Sequence, residues 1–184
     1  VVAYLLLSGY DLLALRYVGA RIGLIRTVIT SLIAYALSQT LGFPLFTGGA
    51  VRVRYWSMWG LSGPEIVRAT TFVSATFVVG VAAVCGLALV LEPTPLLALW
   101  HVPALPARAV GATLLMGVVG YALWAIEHGG GIVRWRRWEL PIPRPTLAFA
   151  QVALGLLDWS VAGLVAYALL PSGHQISPLA FLGV

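Results

Sequence analysis

The chain has 184 residues, 60% of them hydrophobic and only 9% charged. A soluble domain carries roughly 25% charged residues, so a water-exposed globule is excluded; in lipid the same composition needs no polar cover. Its 11 basic and 6 acidic residues leave a net charge of +5, every base is Arg, and these arginines sit mostly at the ends of apolar runs, as in membrane loops and headgroup contacts rather than on a nucleic-acid-binding face.

Taken in order, the chain reads as about five membrane spans. The first, 1–15, is slightly short of the roughly 20 residues a helix needs to cross, and the chain is expected to be a single transmembrane domain, a fragment of a longer one. Arg16, Arg21 and Arg26 follow it. The second span is 24–41. Thr27, Ser31, Tyr35 and Ser38 recur there every three or four residues and share one helix face. Two readings stand: small-residue packing between helices, or a polar stripe lining a pathway. The stretch 42–60 holds Pro44 and Gly48-Gly49, then Arg52 and Arg54 among Tyr55, Trp56 and Trp59. It is too irregular for a simple span and is expected to be re-entrant or interfacial.

The third span, 64–91, opens on a capping box, Ser62 with Glu65, with Pro64 in its first turn. Ala82 and Gly86 give it a small-residue contact face. The stretch 92–107, with four prolines, Trp100 and His101, is expected to be a surface loop touching the interface. A fourth span covers 108–126. The loop 127–145 carries three glycines and sets Arg134, Arg136, Arg137 and Arg144 among Trp135 and Trp138, a composition suited to anionic headgroups. The fifth span, 146–170, holds Asp158 at its middle beside Trp159. The fold class is therefore an all-α polytopic transmembrane bundle.

Ionisable groups inside such spans carry the chemical interest, because an Asp at a helix centre costs about 2.5–3.5 kcal/mol to insert. Asp158 must line a lipid or ion path, pair with an Arg, or be a neutral acid. Asp11 sits near the end of its helix, where a negative charge is disfavoured, and calls for a salt bridge, local or between helices. Gly48-Gly49 followed by Arg52 permits a backbone concavity that could meet an anion, with the guanidinium closing over it. No soluble-enzyme signature accompanies these residues: there is no HExxH, no GxSxG, no Walker loop and no His or Cys metal set. No catalytic residue, metal or cofactor is expected.

Three stretches resemble one family: Gly9 through Arg16; Leu41-Gly42-Phe43 through Thr47-Gly48-Gly49-Ala50-Val51-Arg52 to Trp59-Gly60-Leu61-Ser62; and Leu157-Asp158-Trp159 with Leu169-Leu170-Pro171. Their order and spacing are similar to the membrane domain of the lysylphosphatidylglycerol synthase/flippase family, the multiple peptide resistance factors. The departures are Gln39-Thr40, where the family often has Asn-Asn, and Arg54-Tyr55-Trp56, where it often has an Arg-x-x-Tyr run.

The resemblance implies a multi-pass bacterial inner-membrane protein that moves aminoacylated phosphatidylglycerol, or a related phospholipid, to the outer leaflet. In the family this weakens the binding of cationic antimicrobial peptides, and a separate C-terminal domain, absent from this sequence, makes the lipid from aminoacyl-tRNA. On this reading Gly48, Gly49 and Arg52 meet the phosphate, while Asp158 and Asp11 meet an ammonium or balance the arginines. Arg16, Gln39, Arg54 and Trp159 support them. The expected partners are a membrane phospholipid, a fused or associated synthase domain and a second copy of the chain. A solute transporter of another substrate class and a non-transporting scaffold for a synthase remain as alternatives.

Overall fold

A computed structural model describes residues 2–41, 44–91, 103–135 and 138–169. They form six helices and one hairpin: α1 (Val2–Val18), α2 (Leu24–Leu41), α3 (Pro44–Met58), α4 (Gly63–Leu91), α5 (Ala104–His128), β1 (Ile132–Trp135), β2 (Trp138–Pro141) and α6 (Pro145–Ala168). The all-α membrane architecture holds. Three helices, α4, α5 and α6, are long and apolar enough to cross a membrane. At 1.5 Å per residue they run about 44, 38 and 36 Å, against a hydrocarbon core of about 30 Å.

Local signals set the helix ends. Gly19 takes a left-handed φ of +76°; its N–H reaches Arg16 O at 3.2 Å, and Ala20 N–H reaches Leu15 O at 2.9 Å. This double closure satisfies the last carbonyls of α1 and needs a residue without a Cβ penalty. Gly60 (φ +91°) ends α3 in the same way, with Leu61 N–H on Trp56 O at 3.0 Å. At the start of α4 the Glu65 carboxylate accepts the Ser62 N–H at 2.7 Å, as one half of the capping box predicts, and it also accepts the Ser62 hydroxyl at 2.6 Å.

The structure adds to the sequence reading in three stretches, and in the first a short helix takes the place of irregular backbone in the element expected to be re-entrant or interfacial. The stretch after Gly42-Phe43 is a continuous helix: Pro44 occupies its first position, where the missing N–H costs nothing, and Gly48-Gly49 lie within it. With 15 residues α3 is about 22 Å long, too short to span. α5 begins at Ala104 rather than Arg108, because Pro106 falls in the first turn. The glycine-rich loop closes as a hairpin, with Gly130 N–H on Ile142 O at 3.1 Å and Ile142 N–H on Gly131 O at 2.8 Å. Arg134 and Glu139 pair across it at 3.1 Å, both exposed. Arg136, Arg137, Trp100, His101 and Pro171 lie outside the described residues.

The chain divides into two compact units, 1–76 with 133–140, and 77–132 with 141–184. In the first, α2 packs on both α1 and α3. Its apolar core includes Tyr10, Ala14, Leu15, Ala34, Trp56 and Phe72, and Tyr17 stacks on Phe72 with centroids 4.6 Å apart.

In the second unit, small residues let helices approach closely. A Cβ on Gly80 of α4 would lie 2.7 Å from Gly155 Cα of α6. One on Gly86 would lie 3.1 Å from Gly111 O of α5, so Gly86 belongs to a contact face as expected. The outer face of α5 shows Leu105, Val110, Met116, Val119 and Leu123, which in a bilayer is the solvent-matched surface. Fully buried Gln151 accepts a hydrogen bond from the Tyr121 hydroxyl. Tyr121→Phe removes that donor, and thermal unfolding of the variant is expected to show a loss of about 1 kcal/mol; an unchanged midpoint would mean the bond contributes nothing.

Candidate functional site

The polar face predicted on α2 is where the first unit gathers its buried charge. Thr27, Ser31 and Ser38 are buried and Tyr35 half-buried. α1 brings Asp11 to this face and α3 brings Arg52. The Arg52 Nε–H donates to Asp11 Oδ1 at 2.8 Å, and the Ser31 hydroxyl donates to Asp11 Oδ2 at 2.6 Å. Ser31 Oγ also lies 2.9 Å from Thr27 O. A hydroxyl has one hydrogen to give, and the charge-assisted bond to the carboxylate is the stronger claim on it. The Arg52 guanidinium carbon lies 4.9 Å from the centroid of the Tyr35 ring, close enough for the ring face to stabilise the cation.

Asp11 is 0% exposed and Arg52 5% exposed. Two unit charges so far from water repay their desolvation only through good geometry and further hydrogen bonds. Asp11 has these on both oxygens. Arg52 is held by Asp11 and by Tyr35, yet its Nη2 is buried and finds no acceptor among the described residues. One turn further along α3, Trp56 is fully buried and its indole Nε1 also finds none.

Gly48 has a different job from the one its sequence context suggests. It lies in helical backbone, where N–H groups run along the axis into the hydrogen-bond ladder, so it forms no anion-binding concavity with Gly49. A Cβ at Gly48 would stand 2.5 Å from Ser38 Oγ and 3.3 Å from Arg52 Nη1. Its bare Cα lets Ser38 of α2 come close, with the Arg52 guanidinium beside it. Gly49 has nothing within 4 Å of a built Cβ.

Of the other residues singled out, Arg16 and Arg54 are exposed; the carboxylate of Asp11 pairs across helices with Arg52 rather than locally with Arg16. Gln39 is exposed and accepts the Tyr4 hydroxyl at 3.2 Å. Asp158 belongs to the second unit, where it is half-buried in α6. Its neighbour Trp159 packs edge-on against Phe77, centroids 5.1 Å apart. Trp56 and Gly80 were not singled out in the sequence. The four-residue spacing of Gly48, Arg52 and Trp56 on one helix face was the available signal for Trp56.

No family model matches the chain. It is 32% identical over 186 residues to an uncharacterized protein of Synechocystis sp. (strain ATCC 27184 / PCC 6803 / Kazusa). It is 30% identical over 188 residues to the inner membrane protein YbhN of Escherichia coli (strain K12). Both alignments take in all of this chain and 57% of the relative, so the chain spans little more than half the length of the curated relatives it matches. With three helices fit to cross a bilayer and an inner membrane protein as a relative, the chain is a membrane protein.

Proposed function

We propose that this chain is part of a multi-pass inner-membrane domain that moves a phosphate-bearing lipid between leaflets, aminoacylated phosphatidylglycerol or a related phospholipid. One observation carries the reading: a buried Asp11–Arg52 pair in an apolar bundle, with guanidinium donor capacity left over. Intramembrane charges are costly and mark substrate and ion paths. Arg is the side chain best shaped for phosphate. The resemblance of the 41–62 segment to the lysylphosphatidylglycerol flippases supports the same substrate class.

The pair also supplies a route for charge balance. A lipid carrying both phosphate and ammonium can exchange partners with it, phosphate on Arg52 and ammonium on Asp11, so that no step leaves a bare charge in low dielectric. Asp158, an acid within a second apolar helix, offers an ammonium another carboxylate. Reduced binding of cationic peptides to the cell would follow from such lipid movement.

The test uses cells producing the full-length protein that contains this chain, treated with a membrane-impermeant amine label, their lipids then extracted and separated. Arg52→Lys keeps the charge and loses the planar donor fork. Arg52→Lys and Asp158→Asn should each cut outer-leaflet aminoacylated phosphatidylglycerol several-fold at unchanged total lipid and protein. Labelling equal to the parent in both variants would remove these residues from a lipid path and favour another substrate or a scaffold role.

A further inference from the structure

Two buried N–H donors on one face of α3 lack an acceptor among the described residues: Arg52 Nη2 and Trp56 Nε1. They stand at i and i+4, with Cβ atoms about 5–6 Å apart on a helix. Indole Nε1 can only donate, and a guanidinium has no acceptor at all, so neither can satisfy the other. Buried donors are nearly always paired, and an exception calls for a reason. Other polar groups beside it are satisfied: Asp11 holds Arg52 by Nε, Tyr35 also bonds the guanidinium, and the hydroxyls of Thr27, Thr30 and Ser38 bond to carbonyls four residues back, Gly23, Arg26 and Ala34. Gly48, one turn before Arg52, keeps the Arg52 Nη1 edge clear of side chain.

We infer that Arg52 and Trp56 form a two-donor site for one phosphate group, with Nη2 and Nε1 each taking an oxygen. The inference rests on the lipid-moving reading only for the natural source of the phosphate. Two N–H donors of different side chains, one of them a guanidinium, suit an oxyanion with several acceptor oxygens. Asp11 already matches the Arg52 charge, so a ligand bringing its own ammonium fits this neutral ground better than a bare anion does. Trp56 is then a binding residue of the lipid path, and its removal weakens phosphate recognition without touching the ion pair.

Full-length protein in phosphate-free maltoside micelles, with indole ¹⁵N-labelled tryptophans, gives one N–H signal per indole, and Trp56→Phe identifies the signal of Trp56. The probes are dihexanoyl phosphatidylethanolamine, dihexanoyl phosphatidylglycerol and inorganic phosphate. The Trp56 signal should move downfield and saturate with the lipids, at lowest concentration with the ethanolamine lipid. Trp56→Phe should bind that lipid about tenfold more weakly, the effect of one lost hydrogen bond to a charged group. Response to inorganic phosphate at equal or lower concentration keeps the site and gives it to the free ion. A Trp56 signal unmoved by saturating amounts of all three overturns the inference, as does equal affinity in Trp56→Phe. A responding Trp56 in a protein that moves no lipid leaves the site standing and ends the lipid-moving reading. A silent Trp56 with lipid movement dependent on Arg52 does the reverse.

Discussion

Arg52→Ala will destabilise the protein by about 3–5 kcal/mol, the usual consequence of breaking a buried ion pair from one side. The cause is the Asp11 carboxylate left behind, fully buried and keeping only the Ser31 hydroxyl of its two charge-assisted partners. The sign reverses for a matched change. Asp11→Asn with Arg52→Gln removes both charges while keeping polar groups that can still bond to one another, and should recover most of the loss, because neutral amides have far less desolvation to offset than charges do. Thermal unfolding of the full-length protein in detergent, with both single variants and the double, gives the coupling between the sites. Additive single effects would mean that Asp11 and Arg52 do not depend on one another, which the 2.8 Å contact forbids. Once its unfolding midpoint shows it folded, the double variant also separates folding from lipid handling, since it lacks the guanidinium.

Gly80→Val is the second large effect. The built Cβ falls 2.7 Å from Gly155 Cα, 3.1 Å from Gly155 C and 3.1 Å from Trp159 Cδ1. Two of these atoms are backbone and cannot swing aside, so α4 and α6 must separate. Overpacking of this kind costs about 1–3 kcal/mol or more, and Val adds two methyl groups beyond the Cβ. The control is Gly117→Ala in α5, where a Cβ meets nothing within 4 Å. Ala is the better helix former by roughly 0.5–1 kcal/mol, so that variant should unfold no earlier than the parent. Equal midpoints for Gly80→Val and the parent would mean that the α4–α6 approach at Gly155 is not tight.

What the sequence made legible was local. α2 and α4 follow from long uncharged runs, and the α4 start follows from Ser62 and Glu65, whose bonds form within one turn. The α2 stripe was visible as a period, and Asp11 and Arg52 stood out as charges where lipid would exclude them. Their pairing was not visible. They lie 41 positions apart, and only the packing of α2 against both α1 and α3 brings them together. Gly48-Gly49 misled for a physical reason. Glycine is a poor helix former, by about 1 kcal/mol per residue, so the pair read as a break. Between packed helices the missing side chain of Gly48 makes room for Ser38 of α2 beside the guanidinium, and tertiary contact outweighs propensity. The hairpin at 132–141 was hidden because its closure depends on Gly130 taking a positive φ, a conformation that three adjacent glycines offer without choosing among them.

Reconstitution tests whether this membrane domain moves a phosphate-bearing lipid by way of the Asp11–Arg52 pair, as we propose. Purified full-length protein goes into phosphatidylglycerol vesicles holding a trace of fluorescent, amine-bearing phospholipid, and an impermeant quencher reports the fraction on the outer leaflet over time. The parent should bring inner-leaflet lipid within reach of the quencher. Asp11→Asn/Arg52→Gln, shown to be folded by its unfolding midpoint, should leave that lipid protected, as in protein-free vesicles. Equal quenching by the double variant and the parent would mean that lipid crosses without these two charges, and the proposed path through them would be wrong.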